Sequence, residues 1–123
     1  MQRFTDIKAW QRSQALVLRL YRLTSSFPFS ERFGLVAQLR RAAVSVPTNI
    51  AEGSRRRTGH DYARFLNVAE GSLAEAESLL LLSRDLGFAA IDEIEPLLNE
   101  AAMVCRMIYL LRLKVEDSTT RNA

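Results

Sequence analysis

One cysteine, one histidine and no long apolar run narrow what this 123-residue chain can be. Cys105 has no second cysteine to pair with, so an internal disulfide is excluded. No Cys/His cluster has metal-ligand spacing, and no metal or cofactor is expected. His60 is the sole imidazole, so acid–base work by histidine would have one candidate. Leu79–Leu82 is far too short an apolar run to cross a bilayer. The opening MQRFTDIKAW lacks the apolar core of a signal peptide. A soluble cytoplasmic protein with no membrane association is therefore expected. β-branched residues are sparse and nothing alternates with period two for long, which disfavours a sheet.

What is present is an ordinary globular balance, 48% hydrophobic and 25% charged, enough for one domain over residues 1–123 with a real core. Charge is unevenly spread. Residues 1–61 hold 11 basic and 4 acidic side chains, a balance of +7; residues 62–123 hold 6 and 10, a balance of −4. Fifteen of the 17 basic residues are arginine, whose planar fork suits bidentate phosphate contacts, although genome composition also favours arginine. Such asymmetry suits either a phosphate-binding face or self-complementary assembly.

Four segments carry helical periodicity. The first, about Asp6 to Ser25, has Ile7, Trp10, Val17 and Tyr21 on one stripe, with Leu16, Leu20 and Leu23 beside it; Thr5 or Asp6 is the expected cap. Pro28 stops it. The second starts at Ser30 as N-cap with Glu31 behind it. It repeats Leu35, Leu39, Ala43, Val46 and Ile50 in phase through Pro47, which predicts one helix kinked at that proline. Gly53 is expected to close it in the left-handed conformation. The third, from Thr58 or Asp61 to Leu86, keeps Tyr62, Phe65, Leu66, Ala69, Leu73, Ala76, Leu80 and Ser83 on one face and ends at Gly87. Gly71 interrupts it, as if another helix came close. The fourth, about Asp92 to Val115, turns Ile94, Leu98, Ala101, Cys105, Ile108 and Leu111 inward, with Pro96 near its start. The polar tail from about residue 116 is expected to fray. Short connections at 27–29, 54–57 and 88–90 predict an all-α, antiparallel up-down-up-down four-helix bundle. Leu79–Leu82 points all round its helix, and Met103, Val104, Met107, Tyr109, Leu110 and Leu113 lie off the main stripe of the fourth. This surplus predicts a second buried surface, most simply with identical subunits.

Candidate chemistry is thin. Arg55, Arg56 and Arg57 lie just past a helix end and could clamp phosphates, or simply offset the negative end of that helix. Arg40 and Arg41, four turns upstream, could extend a basic track. Arg55 and His60 frame RRRTGH, near the spacing of an arginine–histidine ribonuclease motif. Arg56, however, stands where a small polar residue is usual, so His60 reads better as a surface or cap residue. Ser45 and Ser72 have no base beside them, and Glu52, Glu70, Glu75 and Glu77 lack the Glu-x-x-His pairs of a di-metal bundle.

The string Arg40–Pro47 (RRAAVSVP) followed by Asn49–Gly53 (NIAEG) is more specific than the helical pattern. Together with Trp10, Phe27-Pro28, Glu31, Gly34-Leu35, Gln38, Tyr62, Phe65-Leu66, Ala69, Gly71-Ser72 and Glu75, it resembles the four-helix-bundle proteins encoded in 23S rRNA intervening sequences, also labelled S23 ribosomal protein. The accessory variability protein of diversity-generating retroelements looks like a relative. The resemblance covers nearly all of residues 4–113. It implies structural roles for Pro28, Gln38, Ser45, Pro47, Asn49, Glu52, Gly53, Gly71, Ser72 and Glu75. It also implies a ring, typically a homopentamer, with nucleic acid and a reverse transcriptase or other protein as partners. The expected function is thus a non-enzymatic, ring-forming bundle that binds RNA or DNA through phosphates. The alternatives are a protein-interaction scaffold without nucleic acid and, last, a helical-bundle ribonuclease.

Overall fold

The computed structural model describes residues 3–122, with side chains as far as Asp117. A 3-10 turn, Phe4–Asp6, leads into α1, Lys8–Thr24. A second 3-10 turn, Phe29–Glu31, precedes α2, Leu35–Ser54. Then come α3, Gly59–Asp85, and α4, Ile91–Asn122. Each helix packs on its sequence neighbour, and α1 closes the square against α4. Cross-helix pairs fix the directions. Ser45 meets Ser72 while Gly53 meets Phe65; Arg12 meets Glu100; Arg112 meets Glu70. The all-α four-helix bundle read from the sequence is the architecture found.

The core is built from Leu16, Leu20 and Leu23 of α1, Leu39, Val46 and Ile50 of α2, Leu66, Leu73 and Leu80 of α3, and Ile94, Val104 and Ile108 of α4. In α1 the leucines expected beside the stripe are thus the core. Tyr21 is exposed, and Trp10 and Val17 are half-buried on the α2 side. In α4, Leu97 and Val104 point inward, with Leu98, Cys105 and Leu111 at the margin. Buried hydroxyls bond their own helix: Ser13 donates to the Trp10 carbonyl, Thr24 to Leu20 and Ser83 to Leu79. Among the described residues no buried side-chain N or O atom lacks a partner, as a dry core requires.

Several ends differ from expectation. Neither Thr5 nor Asp6 caps α1; the 3-10 turn feeds it directly, and Ile7 at the cap offers no side-chain acceptor. Ser30 does not cap α2. It lies in the 3-10 turn, and the Glu31 carboxylate accepts from the Leu35 N–H at 3.2 Å instead. Pro47 sits inside α2, which continues to Ser54 as the in-phase stripe implied. The Thr48 hydroxyl and Asn49 amide donate to the Val44 and Ser45 carbonyls at 2.8 and 2.7 Å, adding donors on the strip beside the proline. Thr58 caps α3, its Oγ1 accepting from the Asp61 N–H at 3.0 Å. Helical backbone runs on to Asn122 rather than stopping at Val115.

The glycines divide by role. Gly87 alone, among the described residues, has positive φ, +78°. The Phe88 N–H returns to the Ser83 carbonyl and the Gly87 N–H to Arg84, a Schellman closure of α3. Gly53 is not left-handed. It is buried inside α2, and an added Cβ would lie 2.8 Å from the Phe65 Cβ and 2.9 Å from the Tyr62 ring. Close approach of α3 is its reason. Gly71 meets no such neighbour; an added Cβ there finds nothing within 4 Å. The close helix approach expected at Gly71 occurs at Gly53.

Two predictions follow from this packing. Gly53→Ala should destabilise by about 1–3 kcal/mol, because the Phe65 Cβ is tied to the backbone and the Tyr62 ring would also have to shift. Gly71→Ala should stabilise by about 0.5–1 kcal/mol through helix propensity; urea denaturation reads both. The hydrogen bond from Arg12 holds the Glu100 carboxyl below its ordinary range. A lowered folded-state value gives stability above the unfolded value, lost as pH falls through the folded one. Acid melts should therefore show a loss below about pH 4.3 that Glu100→Gln reduces.

Candidate nucleic-acid interface

The turn between α2 and α3 exists because Gly53 lets the two helices meet closely, which leaves Arg55, Arg56 and Arg57 outside. The Arg55 and Arg56 N–H groups bond back to the Glu52 and Gly53 carbonyls, so the arginines start from a fixed backbone. All three side chains are exposed. The Arg55 guanidinium lies 5.9 Å from the Phe4 ring centroid and that of Arg56 lies 4.5 Å from Phe65. With Thr58 and Asp61 they line one shallow cleft. Asp61 is the cleft's only acid. Arg64 holds it at 2.9 Å, whereas Arg56 stands 3.9 Å away. Three cations thus share a turn with one already neutralised carboxylate.

Arg40 and Arg41 do not extend this patch. Along α2, Arg41 and Arg55 are about 20 Å apart at about 1.5 Å per residue. Arg40 is also committed elsewhere. Its Nε donates to Thr24 Oγ1 at 2.9 Å, its Nη2 to the Tyr21 carbonyl at 3.2 Å, and its guanidinium lies 4.3 Å from the Tyr21 ring. Two of the last carbonyl-side groups of α1 are thereby tied to α2, a structural task the sequence did not disclose. Arg41, one position on, is exposed.

The motif residues split between seam and surface. Ser45 and Ser72 share a 2.8 Å hydrogen bond across α2 and α3, and the Asn49 amide donates to Ser45 Oγ at 2.9 Å. The absent base made both serines look idle; their partner was each other. Pro47 and Gly53 are buried, whereas Pro28, Gln38, Glu52, Gly71 and Glu75 are exposed. His60 is exposed on the first turn of α3, and among the described residues no hydrogen bond joins its ring to another side chain. Cys105 is half-buried; burial first, then Glu70 and Glu77, pushes its thiol up, so it stays protonated and unreactive at neutral pH.

A shallow apolar channel runs between α1 and α2. Phe4, Trp10, Val17, Val44, Pro47 and Ala51 line its lower part. Its upper part continues over Tyr21, Val36 and Ala37 among Arg32, Arg40 and Arg41. No group of His, Cys, Asp and Glu suited to a metal occurs among the described residues, and no described helix is long and apolar enough to cross a membrane.

The family model of the 23S rRNA-intervening sequence protein matches residues 5–110. The chain belongs to that family. The match takes in all of the first three helices and most of α4, and with them the Ser45–Ser72 seam and the arginine turn. No curated protein sequence matches the chain.

The two adjacent arginines should behave differently. Arg40→Ala removes two hydrogen bonds and a ring contact, and should lower stability by about 1–2 kcal/mol. Arg41→Ala should stay within about 0.5 kcal/mol of the parent. Guanidinium denaturation of both variants checks this before either is tested for binding.

Proposed function

We propose that the protein is a non-enzymatic, ring-forming homo-oligomer that binds RNA or DNA through phosphates. The observation that carries the reading is the α2–α3 turn, where Arg55, Arg56 and Arg57 are exposed beside an aspartate already held by Arg64. Guanidinium groups on a fixed turn suit charge-assisted bonds to phosphate oxygens. The turn also lies at the start of α3, whose positive dipole end favours an anion over another cation.

Assembly is supported by the lower part of the α1–α2 channel and by exposed apolar side chains of α3 and α4, Leu82, Met103, Leu110 and Leu113. The two sets lie on different helix pairs, and the sequence halves that carry those pairs differ in charge sign. A head-to-tail contact between them closes a ring if the rotation per subunit permits; five copies is the ring size the family resemblance implies. A lone, half-buried thiol is in keeping with the reducing cytoplasm. The channel favours a second reading, a protein-interaction scaffold that engages a reverse transcriptase or another protein without touching nucleic acid.

Light scattering with and without mixed RNA, at 50 and 200 mM salt, separates these readings. Three phosphate contacts predict about a 20- to 40-fold loss of affinity between those salts. Reversing Arg55, Arg56 and Arg57 to Glu should weaken binding and flatten the salt dependence while the oligomer mass is kept. An oligomer that never binds RNA at 50 mM salt supports the scaffold instead. RNA cleavage abolished by His60→Ala would overturn the non-enzymatic reading.

A further inference from the structure

At the end of the bundle away from the arginine turn, the α1–α2 connection displays two phenylalanines almost wholly in water. Phe29 is 76% exposed and Phe33 82%, the highest values among the large apolar side chains described. Arg32 stands between them, its guanidinium carbon 3.8 Å from the Phe29 centroid and 4.5 Å from that of Phe33. Its Nη1 donates to the Phe29 carbonyl at 3.1 Å. The loop under them is held firmly. Phe27 is buried and packs on Phe88 with centroids 5.7 Å apart; Phe29–Glu31 is a 3-10 turn; the Glu31 carboxylate caps α2. The rings are thus held in water by the same loop whose Phe27 is buried, at a cost in exposed apolar surface.

Beside them, Tyr21, Val36, Ala37 and Val44 floor the upper channel, with Arg32, Arg40 and Arg41 along it and no acidic side chain in its lining. Flat apolar faces interleaved with guanidinium groups match a ligand that is itself flat rings joined by anions. We propose that this corner stacks unpaired bases, with Phe29 and Phe33 as platforms and Arg32 and Arg41 on the adjoining phosphates. The bound class is then single-stranded or looped RNA or DNA. A duplex hides its base faces within its own stack and can meet only the arginines. A second copy of the chain is a poorer occupant. Seating an apolar surface here would bury the Arg32 guanidinium, whose one hydrogen bond among the described residues is to the Phe29 carbonyl. A stacked base leaves that charge at the edge, in water or on phosphate.

The inference rests on the nucleic-acid reading above, and the test separates the two. Fluorescence anisotropy at 50 mM salt compares the full chain on a labelled single strand and on a duplex of equal phosphate count. The pair Phe29→Ala/Phe33→Ala, and the pair Phe29→Leu/Phe33→Leu, are measured beside it. Single strands should bind roughly tenfold or more tighter than duplex. Both double variants should lose roughly tenfold or more on the single strand, with duplex affinity, melting temperature and light-scattering mass unchanged. Loss in the alanine pair with full retention in the leucine pair would show apolar contact rather than stacking, and overturn the inference. So would equal binding of the two nucleic acids, or a fall in oligomer mass, which would assign the rings to a neighbouring copy. Failure of the parent chain to bind either form at 50 mM salt removes the phosphate reading and this inference with it. Binding of both forms that depends on Arg55–Arg57 and not on the phenylalanines preserves the former alone.

Discussion

The missing side chain at Gly53 sets the geometry of everything near the α2–α3 turn. With no Cβ there, Tyr62 and Phe65 can lie directly on the last turn of α2. That approach brings α3 back along α2 tightly enough for Ser45 and Ser72 to share a hydrogen bond two turns and more away. A polar pair in a helix seam is satisfied only at one axial offset, so it fixes register as well as distance. Partial burial against this seam pushes the Tyr62 hydroxyl above its ordinary range. The connecting residues have nowhere to go but outward, which is why three successive arginines end on the surface.

The other end of the bundle is organised by different forces. There Arg40 reaches from α2 to the end of α1, and Phe27 and Phe88 close the corner beneath. A buried Thr24 hydroxyl both donates to Leu20 and accepts from Arg40, so the corner loses two bonds if either partner changes. Rigid corners at both ends make the charge and aromatic displays fixed surfaces rather than mobile loops. Preordered groups lose less entropy on meeting a ligand, and that matters most for arginine, with its many rotamers.

Helix number, order and the continuation through Pro47 were legible because apolar spacing depends on the backbone period alone. Which stripe of α1 faces inward was not. Trp10, Val17 and Tyr21 form as regular a stripe as Leu16, Leu20 and Leu23, and only the placement of α2 beside α1 makes the first a channel wall and the second core. Glycine roles failed for a similar reason. A glycine near a helix end reads as a left-handed stop, and one inside a helix reads as a contact; Gly53 makes the contact and Gly71 makes none, because contact is a property of the neighbour. The arginine turn was visible as a triplet, whereas the Arg40 clamp and the Arg32 sandwich needed partners that no spacing reveals.

Charge composition alone overstates the positive charge this fold leaves free for a phosphate. Arg12 is held by Glu100, Arg64 by Asp61, Arg84 by Asp85 and Arg112 by Glu70 and Glu116, while Arg40 serves α1. A guanidinium already bonded to a carboxylate releases no counterion when phosphate arrives and must first break that bond. Much of the positive charge counted in the sequence is therefore spent within the fold. Among the arginines with no carboxylate so close, Arg32 and Arg41 lie at one end of α2 and Arg55 and Arg57 at the other. Between them runs an apolar channel, not a basic one. A single short strand along one subunit would have to cross that channel, gaining stacking but few phosphate contacts. In the proposed ring, each group would be repeated around the axis. Weak sites of a few arginines then act through effective concentration rather than individual affinity. On this argument the surplus apolar surface would supply, through the proposed ring, the multiplicity that a few arginines at each end of one bundle require.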